Sequence, residues 1–345
     1  MQVRNKIKVL VVDDSMVFRE MIARGITTDP DIEVVATAAD PFEARDKILK
    51  YHPNLMVCDV QMPKMNGIEF LRRLLPQYSI PVIVVSAISS SVFDALNAGA
   101  IDFISKPDNK LSHVEKFIEE LIEKIKIGSK AKIVHQPKKL AASPADPPTK
   151  LVTAKPATTK EVIAIGASTG GTEAIYTVLK SLPKDMPGIV IVQHIPPMFS
   201  RMFAERLNQS LSIRVKEAQT GDTIERGKVL IAPGDKHMRV KRSGDHFVVE
   251  CFAGDKVNRH CPSIDVLFES VAKEAGNQSI GIILTGMGYD GAKGLLAMKR
   301  KGARTIGQDE QSSVVYGMPK VAYDLGAVEK QTSLSNISHV LSTML

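Results

Sequence analysis

Five apolar runs recur along the first third of the chain. Four are Lys8-Val9-Leu10-Val11-Val12, Asn54-Leu55-Met56-Val57-Cys58, Pro81-Val82-Ile83-Val84-Val85 and Ile101-Asp102-Phe103-Ile104, and Glu33-Val34-Val35-Ala36 is a shorter one. Their hydrophobicity is continuous rather than alternating, so each strand is covered on both faces, as in a parallel sheet. Helical spacing separates the runs. It is clearest where Leu111, Val114, Phe117, Ile118, Leu121, Ile122 and Ile125 recur at three- and four-residue steps. The pattern predicts a doubly wound, five-stranded parallel α/β domain over residues 1–125.

A different texture follows. Residues 126–158 hold prolines at 137, 144, 147, 148 and 156 among Lys, Ala, Ser and Thr, with almost no apolar periodicity, and predict an extended linker. From residue 159 to 345 the α/β pattern resumes. Strands are expected at 162–165, 189–193, 213–217, 228–231, 280–284 and 303–307, and helices at 172–181, 198–210, 263–275, 291–301 and 317–324. His237–Lys241 and His246–Glu250 flank Arg242-Ser243-Gly244-Asp245 and predict a β-hairpin attached to this second, mostly parallel sheet.

At 345 residues the chain is long for one core, consistent with two domains. The formal charge of +7 raises the question of nucleic acid, and its location answers it. Lysines 126, 130, 132, 138, 139, 150, 155 and 160 stand against the single acid Asp146 in residues 126–160, which accounts for the whole excess, so the two flanking regions together sum to neutral and no folded basic face is implied. No apolar run is long enough to span a membrane and no apolar signal segment opens the chain. Cys58, Cys251 and Cys261 are odd in number and lack metal-ligand spacing, which fits reduced thiols in the cytoplasm. Nothing in the pattern demands an oligomer, and a monomer is expected.

Candidate chemistry gathers at strand ends, the edge where open α/β sheets build their sites. In the first domain Asp13 and Asp14 follow the first strand and Asp59 ends the central one. Converging carboxylates repel unless a hard cation sits among them, and Mg²⁺ suits such a set while keeping positions open for a phosphate oxygen. Ser86 and Lys106 end the next two strands and complete a cradle for a phosphoryl group. Helix capping near Ser15 would explain one acid, not the whole set.

This constellation resembles the receiver domain of response regulators. The resemblance implies that Asp59, in Asp59-Val60-Gln61-Met62-Pro63, accepts the phosphoryl group. It also implies that Asp13, Asp14, Asp59 and the Gln61 carbonyl hold Mg²⁺, that Lys106 pairs with the phosphate, and that Ser86 and Phe103 sense it. A cis Lys106-Pro107 bond is expected on the same ground.

In the second domain an apolar strand breaks at Gly166-Ala167-Ser168-Thr169-Gly170-Gly171, which matches the Gly-x-Ser-x-Gly string of a nucleophile elbow. A dinucleotide-binding turn fits poorly, because Ser168 replaces the glycine that admits pyrophosphate and the next strand ends in Gln193-His194 rather than an acid. That strand end offers His194 as base, and Leu284-Thr285-Gly286-Met287-Gly288-Tyr289-Asp290-Gly291 offers Asp290 as its orienting acid. The order Ser, His, Asp differs from that of α/β-hydrolases. Backbone N–H groups at Thr169 and Gly170, with Met287 opposite, are candidates for an oxyanion cradle. His260 lies in a loop, with a pocket-lining and a structural role both open. No cofactor is expected at this site.

The residues alone leave three rival classes standing: a general serine esterase or amidase acting on small molecules, a response regulator whose output binds DNA, and a phosphorylation-gated adaptor with an inert Ser168. The strand-rich α/β patterning of the second domain, with no helix-turn-helix, counts against the second. The whole chain resembles the chemotaxis protein-glutamate methylesterases of the CheB family. Further matching stretches are Ala232-Pro233-Gly234-Asp235-Lys236-His237-Met238, His260-Cys261-Pro262-Ser263-Ile264-Asp265-Val266-Leu267-Phe268 and Gly317-Met318-Pro319, with Cys261 where the family commonly has arginine. The resemblance implies phosphorylation-activated hydrolysis of glutamate γ-methyl esters on methyl-accepting chemotaxis receptors, deamidation of receptor glutamines, a chemotaxis histidine kinase as phosphodonor, and a receiver that blocks the catalytic cleft until phosphorylated.

Overall fold

A computed structural model describes residues 6–63, 65–87, 89–108, 111–131 and 161–345. From residue 132 onward the predicted linker, with His135, lies outside the described residues.

The first domain alternates strand and helix throughout: β1 (Ile7–Val12), α1 (Met16–Ile26), β2 (Ile32–Ala38), α2 (Pro41–Tyr51), β3 (Leu55–Asp59), α3 (Gly67–Leu74), β4 (Val82–Ser86), α4 (Ser89–Asn97), β5 (Asp102–Ser105) and α5 (Leu111–Gly128). Its strands run in the order β2-β1-β3-β4-β5, every pair parallel. The order reverses between β1 and β3, which sets Asp13 and Asp59 side by side at the topological switch point. Local chemistry begins the helices: the Ser15 hydroxyl accepts the Phe18 N–H, and the Asp40 carboxylate accepts those of Phe42 and Glu43 ahead of Pro41. The predicted periodicity of α5 buries Phe117, Leu121 and Ile125, and the helix continues to Gly128, into the segment read as linker.

The second domain comprises β6 (Val162–Ala167), α6 (Gly171–Lys180), β7 (Gly188–Gln193), α7 (Pro197–Ser210), β8 (Arg214–Glu217), β9 (Thr223–Ile224), β10 (Lys228–Ile231), β11 (His237–Ser243), β12 (His246–Phe252), α8 (Ile264–Glu274), β13 (Ser279–Ile283), α9 (Ala292–Arg300), β14 (Arg304–Gln308), α10 (Met318–Asp324), β15 (Lys330–Thr332) and α11 (Ile337–Met344). Seven parallel strands run β15-β14-β13-β6-β7-β10-β8. Here the switch point falls between β13 and β6. The predicted hairpin, β11–β12, pairs with β9 in a separate three-stranded antiparallel sheet. The sequence reading missed β9 and β15, which are too short to carry periodicity.

The cis peptide bond among the described residues is Cys261–Pro262, not Lys106–Pro107 as expected. With its peptide bond in the ordinary trans form, Lys106 still delivers its ammonium to the acidic pocket.

Candidate active site

Ser168, His194 and Asp290 follow three neighbouring strands, β6, β7 and β13. His194 Nδ1 lies 3.2 Å from Ser168 Oγ, and its Nε2 lies 2.9 Å from Asp290 Oδ2. An ionised carboxylate can only accept, so Nε2 carries the hydrogen and Nδ1 presents its lone pair to the serine hydroxyl. The series can move a proton from an alcohol to an imidazole whose far side is already held by an anion.

Each member is fixed by its setting. Ser168 N–H donates to Thr285 O at 3.0 Å, which ties the nucleophile's turn to the loop carrying Asp290. That loop passes so close that a Cβ on Gly286 would stand 2.7 Å from Ser168 Cβ. Gly170, with φ of 75°, turns the chain into α6 in the left-handed region that glycine enters without strain. Gln193 Nε2 donates to the carbonyls of both Ser168 and His194, at 2.9 and 3.2 Å, and so links the two turns.

Asp290 is 2% exposed and receives five donors: His194 Nε2 and Ile264 N–H on Oδ2, and Ser263 Oγ, Asn258 Nδ2 and Asp265 N–H on Oδ1. Burial pushes its pKa up, but the hydrogen bonds from His194, Asn258 and Ile264 outweigh burial and hold it well below the usual carboxylate range. His260 stacks on His194 with ring centroids 3.6 Å apart and an interplanar angle of 10°. Burial, then the neighbouring His194, pushes the His260 pKa down to about 3, so the ring over His194 is neutral.

Thr169, Gly170, Met287 and His260 all line the same cleft of about 970 Å³ as the three central residues. The Thr169 hydroxyl is engaged: it donates to Asp102 Oδ2 of the first domain at 3.0 Å. Asp102 Oδ1 in turn receives Lys124 Nζ at 2.9 Å. Beside Asp102, the Phe103 ring packs on Phe199 of α7, with centroids 4.5 Å apart.

In the first domain Asp13, Asp14 and Asp59 offer ligand oxygens within 4.8 Å of one another. Lys106 Nζ bridges Asp13 Oδ2 at 2.9 Å and Asp59 Oδ2 at 2.6 Å. Burial raises the Asp13 pKa against the lowering influence of Lys106, and the two acids outweigh burial in raising that of Lys106. Gln61 N–H donates to Asp59 Oδ1 at 3.1 Å. Ser86 is buried one strand away, with Phe103 on the strand beyond. This all-oxygen donor set fits a small hard cation. Ser15, not either aspartate, caps α1.

The sequence reading missed Asn258, Ser263 and Asp265, which hold Asp290, and Asp102, which reaches Thr169. Two signals were available: Asp102 interrupts an apolar strand, and Ser263-Ile264-Asp265 opens a helix as a capping sequence does.

A phosphoacceptor-type fold joined to an α/β domain with a Ser–His–Asp series defines a response regulator whose output is an enzyme. A family model described as CheB methylesterase matches residues 163–341, and one described as response regulator receiver domain matches residues 9–117. The chain is 58% identical over 342 residues to protein-glutamate methylesterase/protein-glutamine glutaminase 2 of Syntrophomonas wolfei, covering 99% of this chain and 98% of that one. It is 46% identical over 339 residues to the Salmonella typhimurium protein-glutamate methylesterase/protein-glutamine glutaminase, covering 97% and 95%. The crystal structure of the Thermotoga maritima CheB methylesterase catalytic domain superposes with a TM-score of 0.53 at 34% identity, covering 54% of this chain and 99% of that one. The chain belongs to the CheB methylesterase family. No helix among the described residues is long and apolar enough to cross a membrane.

Proposed function

We propose that this chain is a phosphorylation-controlled protein-glutamate methylesterase and glutaminase, acting in the cytoplasm on chemotaxis receptors. Its division would be a receiver at 1–125, a linker at 126–158 and a catalytic domain at 159–345. The observation that carries the reading is His194, hydrogen-bonded at one nitrogen to Ser168 Oγ and at the other to Asp290.

Ser168 Oγ attacks the carbonyl carbon of the glutamate side-chain ester while its proton passes to His194 Nδ1. Asp290 stabilises the imidazolium. Backbone N–H groups at Thr169, Gly170 and Met287 receive the oxyanion, each worth roughly 10²–10³ in rate. Collapse breaks the C–O bond to methoxide, which leaves as methanol with the proton from His194. Water, deprotonated by the same nitrogen, then cleaves the acyl-serine to glutamate and free Ser168. An amide follows the same course with ammonia as leaving group.

Asp59 is the phosphoacceptor, with a chemotaxis histidine kinase as donor. Asp13, Asp14, Asp59 and the Gln61 carbonyl would hold Mg²⁺, which would neutralise phosphate charge there. Lys106, already on Asp59, pairs with the new phosphoryl group, and Ser86 and Phe103 respond to it. The Asp102–Thr169 hydrogen bond and the Phe103–Phe199 contact support a closed, inhibited arrangement, because the first holds the receiver against the nucleophile's turn and the second against α7. A phosphoryl charge of about −1.5 to −2 on Asp59 would bias that interface toward opening.

Methanol release from methylated receptor membranes, with and without a small phosphodonor, tests the proposal. The donor is expected to accelerate release, Ser168→Ala to abolish it with the fold retained, and Asp59→Ala to erase only the donor response. Turnover retained by Ser168→Ala would remove the nucleophile assignment.

A further inference from the structure

Asn258 stands between two buried carboxylates. Its Nδ2 lies 2.7 Å from Asp290 Oδ1 and 2.7 Å from Asp265 Oδ2, so the two amide hydrogens are divided between them. Asp265 and Asp290 are 4% and 2% exposed. The two acids cap each other's helices. Asp290, just before α9, accepts the Ile264 and Asp265 N–H groups at the start of α8. Asp265, in the first turn of α8, accepts the Gly294 N–H of α9 at 2.7 Å. Two like charges so placed repel, and each loses hydration through burial. One amide offers both the same neutral donor.

The backbone explains why asparagine serves here. Val257 and His260 exchange both backbone hydrogen bonds, at 3.0 and 2.9 Å, around Asn258 and Arg259 with φ of 52° and 71°. Positive φ at both central residues is the requirement of a type I′ turn, where asparagine is favoured at the first position. The same tight turn therefore delivers the amide to Asp290 and brings His260 onto the face of His194.

Resting on the reading of Ser168, His194 and Asp290 as the catalytic series, we propose that Asn258 is a positioning residue of the hydrolytic centre. By anchoring Asp290 Oδ1 to Asp265, it holds Oδ2 on His194 Nε2–H and draws charge away from the imidazole. The titratable groups facing Asp290 are His194, His260, Asp265 and Glu269, with Lys124 and Lys256 beyond His260.

The test is methanol release by full-length, phosphodonor-activated protein across pH. Asn258→Gly keeps the left-handed turn and removes only the amide. Asn258→Asp keeps its shape and replaces a donor by an acceptor. In both, kcat is expected to fall roughly 10- to 100-fold with KM nearly unchanged. The acid limb of kcat/KM should also move to higher pH, because an Asp290 with one donor fewer holds the imidazolium more tightly. A wild-type kcat and acid limb in Asn258→Gly would overturn the proposal. So would a rate loss carried by KM with the acid limb unmoved, which a purely structural role produces. If melting curves show Asn258→Gly unfolded, the near-isosteric Asn258→Asp decides by the same criteria. Ser168→Ala in parallel separates the two readings. Turnover by Ser168→Ala sinks the catalytic series itself, whereas an inactive Ser168→Ala beside a wild-type-like Asn258→Gly sinks only the positioning role.

Discussion

Asp59 and Asp290 make a controlled comparison, since both lie at the C-terminal edge of a parallel sheet and both are 2% exposed. Their surroundings differ in how many donors reach the carboxylate. Asp59 has Lys106 and the Gln61 N–H as partners and two further acids within 4.8 Å. Asp290 has five donors, and its carboxylate is joined to that of its buried neighbour Asp265 by the Asn258 amide. The first carboxylate is short of donors and surrounded by negative charge, a setting that favours a cation and a charged adduct. The second is saturated and can only orient what it touches. Depth of burial thus says little about what a carboxylate does, and the balance of donors to charges says a great deal.

The largest effect that tests the comparison is Asp290→Asn. An amide at this position sets an NH₂ group against donors that expect an oxygen, and His194 loses the anion that selects its tautomer. A fall in kcat on the order of 10⁴-fold is expected, with basal and phosphodonor-stimulated rates falling together. Asp59→Asn should do the opposite, leaving basal methanol release intact while the donor response disappears. If Asp290→Asn lost only the donor response, the two carboxylates would have been assigned to the wrong roles.

A smaller effect is expected where the two centres meet. Thr169 is adjacent to the nucleophile and its hydroxyl is held by Asp102, which Lys124 also holds. Asp102→Ala removes one hydrogen bond from the closed arrangement, worth about 0.5–1.5 kcal/mol, so basal methanol release should rise by roughly two- to tenfold. The phosphodonor-stimulated maximum should change little. An unchanged basal rate would mean that this contact does not restrain the site.

Both strand-end constellations were legible because they rest on local rules: continuous apolar runs mark buried parallel strands, and polar residues just past them fall on one edge. Ser168, His194, Asp290, Asp13, Asp59 and Lys106 all follow from that logic. The supports of Asp290 did not, since Asn258 arrives from a turn and Ser263 and Asp265 from a helix start, brought together by chain crossing that no periodicity records. The same holds for Asp102 on Thr169, two residues separated by 67 positions. β9 and β15 escaped notice for a simpler reason, at two and three residues. The hairpin's turn and strands were readable, but its partner strand was not.

Titration offers the finest separation of the two centres. His260 has its pKa pushed down to about 3 from an ordinary value of 6.5, chiefly by burial and then by His194. Between those values the unfolded chain binds a proton that the folded one refuses, so this group's contribution to stability is present above 6.5 and lost as pH falls toward 3. Lys106 has the reverse sign: its raised pKa contributes stability that is present below the ordinary lysine value and lost as pH rises through the folded one. His260→Phe keeps a flat ring against His194 without a titrating nitrogen. The drop in melting temperature between about pH 7 and about pH 5 should therefore be smaller in this variant than in the wild type, with the alkaline side unaltered. Lys106→Met should change the alkaline side, where the wild type loses this contribution. An acid-side drop in His260→Phe equal to that of the wild type would mean that the stacked ring takes up its proton in the folded protein. In that case the His194 imidazolium would form against a second positive charge rather than beneath a neutral ring.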